Sequence, residues 1–143
     1  MRRDIVFMAC VATVAALAAL SAYGASVAYL NGSGVTDLSD GTAWDGGVPP
    51  GAGDVAVFDG MLPDTLTIPA GAAWGGMVRT NIENAVTFAG GPITLGADGI
   101  TCFTQNDGYH RTTLPSVVLS AAQTWTIATN KTIAASVRCV KVK

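Results

Sequence analysis

Charge is scarce in this chain. Asp, Glu, Lys and Arg make up 13% of its 143 residues, about half of the roughly 25% found in ordinary soluble proteins. The eight basic residues are scattered and the net charge is −2. Without a basic stripe there is no electrostatic footprint for nucleic acid. There is one histidine, His110, so a histidine-based metal cluster or relay has little to draw on. The three cysteines are Cys10, Cys102 and Cys139. Beyond residue 24 no segment carries apolar residues at helical spacing over a useful length, which excludes a helical bundle. The length suits one domain and not comfortably two.

Apolar residues are abundant, at 50%, and the first segment concentrates them. Met1-Arg2-Arg3 is a positive start, Ile5 to Leu20 is apolar and alanine-rich, and Ser21, Ala22, Gly24, Ala25 and Ser26 are small. That is the order of a secretory signal peptide. Ala22 and Gly24 fit the two small-residue positions, with cleavage after Gly24; Ser26 and Ala28 are a second pair. The alternative is an uncleaved anchor, since Ile5 to Ala22 is near the ~18 residues of a spanning helix. Arg2-Arg3 is followed directly by Asp4, against a folded-export signal, and Cys10 precedes most of the apolar run, against a lipidated N-terminus. Loss of residues 1–24 removes Arg2, Arg3 and Asp4 and moves the net charge from −2 to −3. Export permits a disulfide between Cys102 and Cys139; two small buried side chains are the other reading.

After the leader, glycine and proline punctuate short apolar runs. Tyr29 to Ala43 is polar, with turn signals at Asn31-Gly32-Ser33-Gly34 and Asp40-Gly41. Trp44 opens a glycine-proline loop that delivers the chain into Asp54-Val55-Ala56-Val57-Phe58, and Pro49-Pro50 forbids helix there. Further strand cores are Leu66-Thr67-Ile68, Ala85-Val86-Thr87-Phe88, Ile93-Thr94-Leu95, Ile100-Thr101-Cys102-Phe103, Val117-Val118-Leu119, Thr124-Trp125-Thr126-Ile127, Thr132-Ile133 and Val137 to Val142. Turns fall at Asn81 to Asn84, Gly90-Gly91 and Gly96 to Gly99, and Gln105 to Thr113 reads as a polar loop. Two all-β architectures fit: a sandwich with hairpins and a β-solenoid of stacked coils. Very short strands, threonine-rich flanks and the lack of hairpin-type Asn-Gly turns favour the solenoid.

These segments also resemble a known family. Trp44-x-x-Gly47-Val48-Pro49 followed by Gly53 to Phe58 resembles the start of large secreted bacterial proteins with autotransporter-associated β-strand repeats. Gly90 to Thr101 is similar to their middle coils, and Leu119 to Ile127 to the repeat unit. The likeness covers most of residues 44–134. It implies a right-handed parallel β-helix serving as passenger or stalk of a secreted or cell-surface protein, with no shared catalytic residues to carry over. The expected organisation is therefore all-β: signal-peptide helix 1–24, N-terminal loop and cap 25–53, and solenoid coils 54–143. The chain is much shorter than such proteins, no outer-membrane barrel follows, and Ala134 to Lys143 lacks the glycine-punctuated pattern. A truncated or frame-shifted reading frame is the expectation.

No catalytic, cofactor-binding or metal residue is assigned. His110, with Asp107, Tyr109 and Arg111, reads as an exposed loop rather than a base with an orienting partner. Asp37, Asp40, Asp45, Asp54 and Asp59 match no calcium loop and read as turn caps. Trp44, Trp74 and Trp125 are either a sugar-stacking platform or core packing, with packing favoured. Gly46-Gly47 and Gly90-Gly91 lack the setting of a phosphate cradle, and Asn31-Gly32-Ser33 and Asn130-Lys131-Thr132 match the glycosylation acceptor by chance. The expected function is a non-enzymatic structural segment of an exported β-solenoid. A module for cell-surface or extracellular glycan is the alternative, and a β-helix lyase or hydrolase fragment ranks last for want of clustered carboxylates. No nucleic acid partner is expected, and membrane contact only through the export signal.

Overall fold

A computed structural model describes residues 24–103, 108, 110–129 and 131–139, the last three as backbone. The expected leader helix and the far end of the tail lie outside the described residues. The strands are β1 (Ser26–Ala28), β2 (Val55–Asp59), β3 (Thr65–Ile68), β4 (Ala73–Thr80), β5 (Val86–Gly90), β6 (Ile93–Phe103), β7 (His110–Thr113), β8 (Val117–Leu119), β9 (Trp125–Ile127), β10 (Lys131–Ala134) and β11 (Val137–Cys139). Every strand pair is parallel, and each strand pairs with one from the preceding or following turn of the chain. The protein is thus all-β with parallel stacked coils, as a β-solenoid is. A hairpin sandwich would pair neighbours antiparallel.

The register resolves three ladders. In the first, Ala73 and Trp74 of β4 lie beside Thr94 and Leu95 of β6, which lie beside β8, then β11. The second runs β1, β2, the later half of β4, the later half of β6, and β9. The third is β3, β5, β7 and β10, extended by a parallel bridge from Asp37 to Thr67. Coil length follows from the pairing: Val55 meets Gly76, 21 residues on, and Gly76 meets Gly99, 23 on. Backbone bonds continue around the corners, as in Gly75 N to Asp54 O (2.7 Å) and Thr94 N to Ala72 O (2.9 Å).

Alternation then builds the core. One face of each strand points inward, so like positions of successive coils stack in columns. Ala56, Met77, Ile100 and Trp125 form one column; Leu66 and Phe88 begin another. Outward positions such as Thr65, Thr67 and Thr87 are exposed. β6 runs through Gly96 to Gly99, where the sequence reading has a break. A register shift opposite Trp74 to Gly76 takes up the extra residues, and the two ends of β6 join separate ladders. His110 to Thr113, read as loop, is strand β7, because Thr112 and its neighbours pair with β5 on one side and β10 on the other.

The segment 25–53 closes the N-terminal end. It contributes β1 to the ladder and folds the remainder into two 3-10 turns, Gly41–Ala43 and Asp45–Gly47. Trp44, between them, is 1% exposed. Its ring meets Tyr29, Phe58 and Trp74 edge-on at centroid distances of 6.0, 5.6 and 6.1 Å, and its Nε1 donates to Leu38 O at 3.0 Å. The Tyr29 hydroxyl donates to Val35 O at 2.7 Å. Both polar handles are satisfied while the ring faces stay dry, the usual condition for burying Trp and Tyr.

Coil stacking leaves no room for a side chain at Gly99. Gly99 has φ +66°, and a Cβ there would stand 2.1 Å from Thr124 O of the next coil. Gly32, in the lead-in loop, has φ +86° and open space around it. Gly99→Ala is expected to cost at least about 2 kcal/mol, from backbone strain plus the clash. Gly32→Ala is expected to cost about 1 kcal/mol, from strain alone. Urea midpoints of the two variants check this; equal losses would contradict the stacking.

Candidate functional site, a polar node inside the coils

The second ladder carries a buried column of Phe58, Arg79 and Cys102, which ends at the exposed Ile127. Arg79 is the anomaly. It shares a face with Met77, two residues earlier, and points into the same interior, where it is 0% exposed. Its Nη1 donates to Thr112 Oγ1 at 2.6 Å, and its Nη2 to Asn84 O at 2.7 Å and more loosely to Asn84 Oδ1 at 3.4 Å. Nε is buried without a partner. Among the described residues no carboxylate reaches the guanidinium.

Asn84 extends the node. Its side-chain oxygen accepts from Leu62 N (3.1 Å) and its amide donates to Leu62 O (2.7 Å), so it mimics a strand partner for the preceding coil. Leu62, Asn84 with Arg79, and Thr112 belong to three successive coils. One guanidinium and one amide therefore tie three layers by hydrogen bonds. Bonds to a charged group contribute more than neutral ones, about 1.5–3 kcal/mol each, but they must offset the desolvation of the cation.

Burial shows in the protonation. It pulls the Arg79 guanidinium down to about 10, and the neighbouring Cys102 sulfur partly offsets that. Burial pushes the Cys102 thiol up to about 11, with Arg79 acting the other way. At neutral pH this is a cation beside a neutral, free thiol. Such a thiol is a poor nucleophile, since the thiolate is the reactive form.

The remaining candidates are dispersed. His110 opens β7 and is half-buried beside Lys131 in the ladder, and the Lys131 ammonium donates to Gly108 O. Arg111 is exposed on the outer face of β7. Asp107, Tyr109 and Asn130 lie outside the described residues, as does the Cys139 side chain. Asp37 and Asp40 act as local turn caps, while Asp54 and Asp59 also bond segments distant in sequence. Asp37 accepts from Ser39 N and Oγ (2.9 and 2.7 Å), Asp40 from Thr42 N and Oγ1 (2.9 and 2.7 Å), and both carboxyls are lowered mainly by those hydroxyl bonds. Asp59 accepts from Thr80 Oγ1 and Asn81 Nδ2, and Asp54 from Gly51 N and Ala25 N. Asp45 begins the second 3-10 turn. Trp44 and Trp74, 1% and 3% exposed, offer no face to a sugar ring; Trp125 is half-buried with Nε1 donating to Gln123. Gly46-Gly47 forms the tip of a cap turn and Gly90-Gly91 a coil corner, neither at a helix N-terminus. Among the described residues no group of three or more His, Cys, Asp or Glu side chains is placed to hold a metal, and no helix is long and apolar enough to cross a membrane.

Sequence reasoning missed Arg79, Asn84 and Thr112. The available signal was parity: Arg79 keeps step with inward Met77 in the run Trp74 to Arg79, which precedes the turn at Asn81 to Asn84. No protein-family model, curated protein or solved structure matches the chain.

Cys102 gives the node a pH signature. The folded thiol keeps its proton up to about 11, while the unfolded thiol releases it near 9. Between those values the folded state binds more protons, so stability falls as pH rises. Cys102→Ala is expected to remove that part of the slope, on the order of 2 kcal/mol between pH 9 and 11. Urea titrations of both proteins across the window measure it; parallel slopes would refute the burial of this thiol.

Proposed function

We propose that the chain is a non-enzymatic structural segment of a secreted or cell-surface β-solenoid, wound right-handed and used as a stalk or passenger. The observation that carries this reading is the combination of parallel coils stacked along one direction with an aromatic plug over the N-terminal end. Each coil satisfies its backbone through the next, so length can grow without a second core. A right-handed wind follows from the strong preference of parallel crossover connections. The leader of residues 1–24 supplies export, and the likeness to autotransporter-associated repeats supplies the setting. Turn-capping aspartates and outward threonines suit a surface that is hydrated rather than reactive.

The test is location. Bacteria expressing the full chain are treated with a membrane-impermeant amine label before and after lysis. The proposal expects labelled protein on intact cells or in the medium. Labelling only after lysis, with the chain in the cytoplasmic fraction, would overturn it.

A further inference from the structure

We infer that hydrolysis after Gly24 creates a docked N-terminus, in which the new α-ammonium of Ala25 pairs with the Asp54 carboxylate; this rests on the export reading above. The sequence leaves two cleavage points open, after Gly24 and after Ala28. The fold separates them. Cleavage after Ala28 deletes β1, whose Ser26, Val27 and Ala28 pair with Val55, Ala56 and Val57. That would strip the lower edge of β2 and leave its backbone groups unpaired. Cleavage after Gly24 leaves β1 whole.

The receiving site is already built. Ala25 N donates to Asp54 Oδ1 at 2.9 Å, and Ala25 O accepts from Val55 N at 2.8 Å, so Ala25 is held at both ends. Asp54 Oδ2 accepts from Gly51 N at 2.8 Å, which orients the carboxylate. Around Gly24, by contrast, the chain is crowded: a Cβ there would stand 1.5 Å from Gly53 O. Glycine alone fits that position before processing, and glycine is also small enough for a peptidase cleft. Gly24 and Ala25 are both exposed. In the reaction, water adds across the Gly24–Ala25 bond. Its hydroxyl goes to the Gly24 carbonyl carbon, which leaves as a carboxylate on the leader, and the Ala25 nitrogen takes up protons to become an ammonium. The catalyst is the host's export peptidase. A single amide hydrogen bond becomes a charge-assisted pair, an N-terminal amine captured by the fold. A further acid of the coils is Asp98, whose carboxylate lies over Gly75 in the following coil.

The experiment is expression of the full chain with its own leader, purification of the product, N-terminal sequencing, and NMR titration of the α-amine in wild type and Asp54→Asn. Expected are Ala25 as first residue, an α-amine titrating above the ordinary 7.7–8.0, and a return to that range in Asp54→Asn. An exported product starting elsewhere, or an α-amine unaffected by Asp54→Asn, would overturn the inference and leave the export reading standing. An uncleaved chain retained in the cytoplasm would overturn both. Should Asp54→Asn fail to fold, the wild-type titration decides alone, with an ordinary value counting against the pairing.

Discussion

The hydrogen bond between one coil and the next is the constraint on which the structure depends. A parallel strand of three to five residues has little stability by itself. Here each gains it by lying beside the equivalent strand about one coil of sequence away, as Val57 lies beside Val78 and Val78 beside Thr101. The chain must therefore return to the same place every 20 residues or so, and its corners have to be short and sharp. Gly90 (φ +110°), where a Cβ would stand 2.3 Å from Ile68 O, and the left-handed Asn81 (φ +46°) supply two such corners.

Two features qualify this repeating scheme. The first is the aromatic plug, in which Tyr29, Trp44, Phe58, Trp74 and Phe88 form a continuous chain of ring contacts from the cap into the coils, ending with Phe58 to Phe88 at 5.0 Å. It covers the end that would otherwise expose column tops to water. The second is the Arg79 node, which replaces apolar packing with a buried cation in the middle of the stack. Its bonds to Asn84 and Thr112 exist in one register only. Shifting a neighbouring coil would leave the guanidinium dry and unsatisfied, a far larger cost than losing one apolar contact.

Much of this was legible in the residues. Alternation in Asp54 to Phe58 and Thr124 to Ile127, glycine and proline at the junctions, and the short length of each run point to stacked coils. The setting of Trp44 beside glycine and proline points to an end cap, and the aspartates of the first loop region point to turn capping. What was not legible depends on contacts distant in sequence. Gly96 to Gly99 looks like a break until the neighbouring coils show a single strand with a register shift. His110 to Thr113 looks like a loop because polar composition masks a strand whose partners lie more than 20 residues away on each side. Arg79 looks like surface charge because nothing local announces that Asn84 and Thr112 converge on it. The bond from Ala25 N to Asp54 becomes visible only when β1 is seen against β2.

The central claim is that successive coils lie parallel and in this register. Nuclear Overhauser contacts between backbone protons test it most directly. The account predicts contacts of Val57 with Val78 and of Val78 with Thr101, in the staggered pattern of parallel strands, and none of hairpin type between β2 and β3. Short α-proton to α-proton contacts joining β2 to β3, the mark of antiparallel neighbours, would contradict it.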